Sequence, residues 1–439
     1  MTKNKFSIEM RVVLGFALYI LLGAGLLTLP IMTQSGAGTP FIDALFTATS
    51  ASCVTGLTVV TTSAHWNTLG QIVIIALIQV GGLGLMTFGT LFALLVRKRI
   101  GLRDRQILSG EHGYDRLQGI VRILKYILGF TFATEGLGAL LLATQFIPYY
   151  GVRRGLWFSI FHAISAFCNA GFDLGGDSLY PFRSNLIVNF AIMALVVIGG
   201  LGFLVNQEIL YWRRRRRLSS QTKLVLMITA LLLFGGAFIF WLLERSNPLT
   251  MGQESLGTQG LQALFQSVIA RTAGFYTLDF TKIRETSAFW FLMLMFIGAS
   301  PGSTGGGLKT TTFGVLLAST YHTIRGNKET VFYKRRVPRE TIAKAYALMV
   351  LSLSLVLVVT FILTTIEKFS FLPILFETVS AFATVGNTLG ITPGLTAVSK
   401  FLLCLTMYIG RIGPLTLAYA LNHQQNKHMK YAKATLFIG

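Results

Sequence analysis

Long hydrophobic runs and shorter polar segments alternate along this chain in an order that is repeated four times. Each copy begins and ends with an apolar run of about 20 residues or more, long enough for a helix to cross a bilayer. The first runs cover residues 11–33, 119–147, 221–243 and 341–366. The second runs cover residues 70–96, 184–212, 286–324 and 395–422.

The segments between the paired runs predict re-entrant helices. They lie near residues 40–52, 155–167, 258–270 and 371–383, and they are too short and too polar to span. Such helices are tolerated at membrane depth only where protein or a water-filled cavity surrounds them. We therefore predict an all-α integral membrane protein with eight transmembrane spans, in which four tandem helix–pore-loop–helix repeats surround a pseudo-fourfold axis. The predicted repeats 1 to 4 cover residues 1–105, 106–217, 218–328 and 329–439.

Two glycines recur in register in the four repeats. The first ends the motifs FTATSASCVTG, FHAISAFCNAG, LFQSVIARTAG and FETVSAFATVG, and we call these residues the signature glycines: Gly56, Gly171, Gly274 and Gly386. The second lies in the following apolar run, and we call these the inner-helix glycines: Gly81, Gly199, Gly298 and Gly410. One such glycine is commonly a helix C-cap. Four copies of the motif, each followed at a similar spacing by an inner-helix glycine, instead favour one site on a shared axis.

Composition and charge narrow the class of protein. Of the 439 residues, 53% are hydrophobic and 13% are charged, which excludes an ordinary soluble domain. The net charge of +21 would suggest nucleic acid as a partner of a soluble protein. Here the basic residues lie between apolar runs, so membrane orientation explains them better, and we predict no nucleic-acid partner.

The distribution of basic residues predicts the orientation. The loops joining successive repeats (97–125, 213–223 and 325–344) hold 21 Lys or Arg, whereas the four connections with the signature glycines hold nine. The positive-inside rule therefore places both termini in the cytoplasm. The basic run 213–217 is interpreted as a stop-transfer anchor among membrane lipids rather than a specific lipid site. The first apolar run is expected to be a retained helix rather than a signal peptide.

The residues around the signature glycines suit an ion filter. Backbone carbonyls can replace the water around a monovalent cation without a net charge that would trap it. Glycine adopts positive φ at little cost and lets the backbone approach the axis. The predicted filter comprises Val54, Thr55, Gly56, Asn169, Ala170, Gly171, Thr272, Ala273, Gly274, Thr384, Val385 and Gly386.

The segments SASCVTGL, SAFCNAGF, ARTAGF and SAFATVGN resemble the four pore loops of the Trk/Ktr/HKT superfamily of potassium transporters. The eight predicted spans are most similar to a bacterial Ktr-type membrane subunit. The resemblance implies potassium uptake across the bacterial plasma membrane, with sodium as a modulator. It also implies a homodimer on a cytosolic ring of nucleotide-binding, RCK-type regulatory subunits. Some plant members that favour sodium carry serine at the first signature position, so Gly56 points to potassium.

The third inner run is interrupted by the sequence GASPGSTGGGLKT at residues 298–310, which we call the 298–310 loop. Proline and several glycines are incompatible with a continuous helix, and unwound backbone at membrane depth usually lines a cavity. The resemblance makes this loop an intramembrane gate. An arginine within a span is costly and usually functional or paired, so Arg411 is assigned to the gate as well. The predicted gate residues are Gly302, Ser303, Thr304, Gly305, Gly306, Gly307, Lys309 and Arg411.

Four carboxylates are expected near the outer mouth, where they would concentrate cations or simply be solvated: Asp43, Asp173, Asp177 and Asp279. Cys53 and Cys168 are expected to be packing residues. An integral-membrane enzyme would need clustered catalytic groups, which the spans lack, so we predict no enzyme. The alternative to a selective pore is an ion-coupled secondary active transporter with a site at the midplane of the membrane.

Overall fold

The computed structural model describes residues 8–84 and 120–421, and most of them are helical. The first part contains α1 (Ile8–Leu27), α2 (Phe41–Ser52), α3 (Thr62–His65) and α4 (Thr68–Leu83). The second contains α5 (Ile120–Tyr150), α6 (Val152–Phe167), α7 (Leu186–Leu201), α8 (Phe203–Leu210) and α9 (Trp212–Arg215).

The remaining helices follow the same order of long and short elements. The third part contains α10 (Ser220–Ala230), a π-helical turn (Leu231–Gly235), α11 (Gly236–Glu244), α12 (Leu256–Ile269), α13 (Glu285–Phe296) and α14 (Thr310–Ile324). A small antiparallel hairpin pairs β1 (Val331–Phe332) with β2 (Arg335–Arg336). The fourth part contains α15 (Arg339–Ile366), α16 (Phe371–Ala383), α17 (Ala397–Ile412) and α18 (Pro414–Leu421).

The ends of these helices follow from local sequence. Asn67, Asn185 and Thr396 cap the starts of α4, α7 and α17 by accepting hydrogen bonds from backbone N–H groups in the first turn. The predicted first run extended to residue 33, whereas α1 ends at Leu27. Pro30 begins a 3₁₀ turn there, and proline both lacks a donor and forces the residue before it out of the helical conformation.

The long helices form the outside of the molecule and the short ones form its centre. Three described helices are long and apolar enough to cross a membrane: Leu124–Tyr150, Ser220–Glu244 and Arg339–Ile366. A bent pair, α7 with α8, would make a fourth. Large apolar side chains such as Leu140 and Phe361 are exposed on these outer helices. The short helices α2, α6, α12 and α16 are instead largely buried.

The prediction that the second runs of repeats 1, 2 and 4 form continuous helices is wrong for the described residues. Helix α4 ends before Gly84, α7 before Gly202 and α17 before Gly413, and these glycines have φ between +87° and +94°. The axes of α7 and α8 differ by 104°. A residue with such a φ cannot continue a right-handed helix, and glycine adopts it without a side-chain clash. The remainder of the predicted run, residues 85–96, lies outside the described residues.

The interruption predicted in the third run is observed. Helix α13 ends at Phe296 and α14 begins at Thr310, with the 298–310 loop between them. Ile297 and Leu308 form an isolated parallel bridge across the base of this loop. In the described residues, each of the four inner helices therefore ends close to its inner-helix glycine. The third differs from the others because a long loop follows the end of its helix.

Candidate functional site

The four signature glycines meet at the centre of the molecule, although 103 to 115 residues separate successive members along the chain. Each has positive φ: 94° at Gly56, 69° at Gly171, 71° at Gly274 and 95° at Gly386. A side chain at any of these positions would be strained by the backbone alone. Glycine is therefore required here for its conformation as well as for its size.

The contacts among the signature glycines close into a cycle. A Cβ atom added to one of them would lie against the carbonyl oxygen of the residue that precedes the next. The distances are 2.5 Å from Gly56 to Ala170, 2.8 Å from Gly171 to Ala273, 2.8 Å from Gly274 to Val385 and 2.1 Å from Gly386 to Thr55. The order of neighbours around the centre is thus the order along the chain, with the last copy returning to the first.

A second left-handed residue lies two positions before each signature glycine. These residues are Val54, Asn169, Thr272 and Thr384, with φ between +53° and +71°. Each segment therefore has positive φ at the same two positions, although the four sequences differ. Over the described residues, no backbone N–H donates to the carbonyl oxygens that form the cycle, those of Thr55, Ala170, Ala273 and Val385.

The preceding short helices hold these segments in place. The backbone N–H of Thr55 donates to the carbonyl of Ser50 at 2.8 Å, and the hydroxyl of Ser50 accepts from the N–H of Gly56 at 3.0 Å. Ser380 makes the same two bonds to Val385 and Gly386, at 2.9 Å and 3.0 Å. The N–H groups are thereby directed into the protein, which leaves the carbonyls of the cycle available to a ligand.

The inner-helix glycines provide close packing around the centre. A Cβ at Gly81, Gly199 or Gly410 would lie within 2.0 Å of a carbonyl oxygen at the end of a short helix, that of Ser52, Phe167 or Phe382. These three oxygens lie four residues before their signature glycines. In the third part, Gly298 instead approaches the carbonyl of Gly306 at 2.1 Å. The 298–310 loop therefore occupies the place where the other inner helices touch a short helix.

The 298–310 loop packs directly against the predicted filter. A Cβ at Gly305 would lie 2.1 Å from the Thr272 hydroxyl, and one at Gly306 would lie 2.4 Å from the Thr384 hydroxyl. The N–H of Gly306 also donates to that Thr384 hydroxyl at 3.1 Å. The run of glycines is thus explained by close approach, because even a methyl group would displace the loop.

The other residues of the loop are held by neighbouring backbone. The Thr304 N–H donates to the carbonyl of Gly199 at 3.3 Å, and its hydroxyl donates to that of Phe167 at 3.2 Å. The carbonyl of Gly302 accepts from the N–H of Phe203 at 3.0 Å. Gly302, Ser303 and Gly307 are partly buried, and Lys309 donates to the carbonyl of Gly305 at 2.7 Å.

Arg411, near the end of α17, joins the loop to the first part of the chain. Its guanidinium donates one hydrogen bond to the carbonyl of Thr304 and another to the carbonyl of Gly81. The side chain is partly buried, and Arg411 has further interactions besides these two. One fixed positive charge therefore lies between the 298–310 loop and α4.

The predicted outer carboxylates lie in three different environments. Asp177 and Asp279 line a cavity of about 420 Å³ that also reaches Gly386 and Asn387. Asp173 is partly buried and accepts from the N–H of Gly176 at 2.7 Å. Asp43 is ion-paired at 2.8 Å with Lys400, and both side chains are mostly buried. The interpretation of Asp43 as a solvated loop charge is therefore wrong, because the start of α2 packs against α17.

Several buried polar groups near the site were not identified from the sequence. Glu377 is fully buried in α16 and accepts hydrogen bonds from two threonines in the following loop. Arg271 is buried three residues before Gly274, where the corresponding residues are small: Cys53, Cys168 and Ala383. Glu377 and Arg271 are charged residues within apolar segments, and this feature of the sequence could have identified them. Cys53 and Cys168 are themselves buried and unpaired, as a packing role requires.

The chain matches the family model of TrkH, described as a cation transport protein, over residues 16–431. It is 40% identical to the potassium/sodium uptake protein NtpJ of Enterococcus hirae over 444 residues, which cover 100% of this chain and 98% of that protein. It is 42% identical to the Ktr system potassium uptake protein B of Bacillus subtilis, covering 99% and 97% of the two chains.

The B protein of the Ktr system of Vibrio alginolyticus is also 42% identical, with 98% of this chain and 95% of that protein covered. The crystal structure of the potassium transporter TrkH from Vibrio parahaemolyticus superimposes with a TM-score of 0.76 over 96% of this chain and 86% of that one. At 18% identity, that similarity shows a shared fold. The resemblance inferred from the four pore-loop motifs is confirmed, and the chain belongs to the TrkH family of cation transport proteins.

Proposed function

We propose that this protein takes up potassium through a selective pore whose filter is formed by the four signature glycines and the residues before them. The observation that carries the proposal is the closed cycle of contacts between each signature glycine and the carbonyl of the neighbouring segment. Carbonyls without internal donors are suitable ligands for a dehydrated monovalent cation. The names of the relatives, which are potassium or potassium/sodium uptake proteins, agree with this choice of ion.

The 298–310 loop and Arg411 serve as the gate in this proposal. The loop lies against the side chains of Thr272 and Thr384, so an ion leaving the filter on that side would meet it first. The guanidinium of Arg411 adds a positive charge that opposes cation passage. Opening would require the loop to move away and the hydrogen bonds to Thr304 and Gly81 to be broken.

Eight spans in four repeats are supported by four short buried helices that each precede a signature glycine. We further infer a bacterial plasma-membrane location with both termini in the cytoplasm, because the basic loops lie between the repeats. A homodimer on a ring of nucleotide-binding subunits, and modulation by sodium, are carried over from the family resemblance. Size-exclusion chromatography with light scattering tests the dimer.

The experiment that tests the proposed function is a flux measurement on the purified full chain in liposomes. Potassium and sodium fluxes are recorded while an imposed membrane potential is varied. A potassium-selective flux that follows the potential with no second ion supports the pore. A flux that runs uphill only with a sodium or proton gradient would instead establish the coupled transporter. Potassium-driven flux that depends on added sodium without coupling to its gradient would identify sodium as a modulator.

A further inference from the structure

The buried carboxylate of Glu377 connects the fourth short helix to the segment that follows the filter. It lies nine residues before Gly386, in α16, and its side chain is fully buried. One oxygen accepts from the Thr388 hydroxyl at 2.6 Å, and the other accepts from the Thr392 hydroxyl at 2.5 Å. These lengths are typical of charge-assisted hydrogen bonds from a hydroxyl to a carboxylate.

The two threonines lie on the loop that leads away from Gly386, and their hydroxyl oxygens are 3.1 Å apart. The start of the same loop is held by Asn387, whose amide donates to the carbonyl of Phe275 beside Gly274 at 3.2 Å. Ser380 holds the residues on the other side of Gly386. Glu377 therefore completes a set of bonds that fix the backbone both before and after the fourth signature glycine.

The second repeat carries a related pair in the same register. His162 lies nine residues before Gly171 and is buried, and Asp173 lies two residues after that glycine. In the fourth repeat the corresponding pair is Glu377 and Thr388. In the first and third repeats, Thr47 and Phe265 lie nine residues before the signature glycine. In the fourth repeat, the hydrogen bond from Thr388 to Glu377 joins this position of the short helix to the residue two places after the glycine.

We propose that Glu377 is a positioning residue for ion selectivity, which holds the carbonyls around Gly386 at the spacing that potassium requires. This inference rests on the proposed pore and adds a residue that does not itself contact the ion. In this proposal the filter discriminates between ions because its oxygens are held at a fixed spacing, and removing the brace lets them relax around the wrong ion. Burying a carboxylate is costly unless hydrogen bonds satisfy its oxygens. The hydrogen bonds from the two threonines are therefore needed to keep Glu377 buried in α16.

The chain offers a matched control. Glu244 is also a fully buried carboxylate, and it accepts from Thr250 at 2.6 Å and from Asn247 at 2.8 Å. It lies at the end of α11 and also accepts from the backbone N–H of Arg284 at 2.8 Å, and all of these partners lie ten or more residues from Gly274 in sequence. Loss of Glu244 should therefore reduce stability in the way that any buried network does, without altering the filter.

The test compares the potassium-to-sodium flux ratio of Glu377→Ala, Glu377→Gln and Glu244→Ala in liposomes. Because hydrogen bonds to charged groups are each worth enough to change an equilibrium about tenfold, Glu377→Ala should lower the ratio by about that factor. Glu377→Gln should remain near the original ratio, because an amide can still bridge two hydroxyls. Glu244→Ala should lower the thermal unfolding temperature and leave the ratio unchanged.

An unchanged ratio in Glu377→Ala, or an equal change in Glu244→Ala, would overturn the positioning role. If Glu377→Ala does not fold, Thr388→Val and Thr392→Val remove one donor each, and an unchanged ratio in both variants overturns the role equally. Absence of selective potassium flux in the unaltered protein would instead refute the proposed function. The two failures are therefore distinguishable.

Discussion

The guanidinium of Arg411 donates a hydrogen bond to the carbonyl oxygen of Thr304, and 107 residues separate the two along the chain. Thr304 is at the same time bonded through its hydroxyl to the end of α6. The last inner helix thus holds the backbone of this residue in the 298–310 loop, and the second short helix holds its side chain. A movement of α17 would be transmitted to the loop through this contact.

Replacement of Arg411 by alanine should raise basal potassium flux. At an effective dielectric constant of 20, a charge at 4 Å from a passing ion contributes about 4 kcal/mol, so flux is expected to rise by tenfold or more. Arg411→Gln keeps a hydrogen-bond donor but removes the charge. It therefore separates the repulsion of the cation by the charge from the attachment of the loop through the hydrogen bond to Thr304. Flux of potassium into liposomes at zero effector is the measurement. Arg325→Ala, in an exposed position after α14, is the control, and equal flux in all variants would refute a gating role.

Gly56→Ser should reduce discrimination between potassium and sodium. A serine there would place Cβ 2.5 Å from the Ala170 carbonyl at a φ of 94°, so the cycle of carbonyls must widen. A loss of about 1.4 kcal/mol of differential binding lowers the flux ratio tenfold. Gly136→Ser, in α5 where a Cβ meets nothing within 4 Å, should leave the ratio unchanged. Selectivity that survives at Gly56→Ser would place the filter elsewhere.

Gly306→Ala should destabilise the protein and displace the 298–310 loop. The added methyl group would lie 2.4 Å from the Thr384 hydroxyl, and overpacking of this kind costs about 1–3 kcal/mol. Gly25→Ala is the comparison, because its Cβ meets nothing within 4 Å and alanine favours a helix by about 1 kcal/mol. Thermal unfolding in detergent measures both. Equal unfolding temperatures would show that the loop tolerates a side chain and is loosely packed.

The ion pair between Asp43 and Lys400 should contribute to stability. The charged atoms are 2.8 Å apart and the side chains are 19% and 13% exposed. Its coupling energy should lie between the values for exposed and for buried ion pairs, at about 1–3 kcal/mol. A double-mutant cycle of Asp43→Asn and Lys400→Met measures this energy. The exposed pair of Glu329 and Arg336 should show a smaller coupling. Additive effects at Asp43 and Lys400 would contradict this expectation.

Asp279 should assist cation entry over a wide pH range. Its partial burial acts to raise the pKa, but hydrogen bonds from Thr281 and Lys282 outweigh burial and hold the pKa of Asp279 below its ordinary value. A carboxylate is charged above its pKa, so Asp279 remains negative as pH falls from about 8 to 5. Asp279→Asn should lower the initial rate at low potassium by the same factor throughout that range.

The control for this effect is ionic strength. The Debye length is about 10 Å at 0.1 M salt, so added salt should reduce the difference between Asp279→Asn and the unaltered protein. Glu340→Gln, at the start of α15, should have no effect on the rate. A difference that disappears between pH 7 and pH 5 would show that Asp279 is protonated there, contrary to its hydrogen bonding.

The sequence alone determined the helical membrane class, the positions of the short helices and the family. A bilayer demands long apolar runs, so hydropathy locates them, and positive φ at a close approach demands glycine, so the signature motifs are visible locally. The bounds of α2 and α16 agree with the predicted segments to within one residue. The broken third run was equally evident, because proline and glycine act on the backbone at their own positions.

Only the tertiary structure decided which distant groups meet. That Gly386 touches Thr55, that Arg411 bonds to Thr304 and that Gly202 lies against the carbonyl of Pro301 depend on packing between segments. The partners of Glu377 follow from the path of the loop after Gly386. Local propensity does not encode such contacts, because the sequence around each residue is compatible with many different tertiary partners.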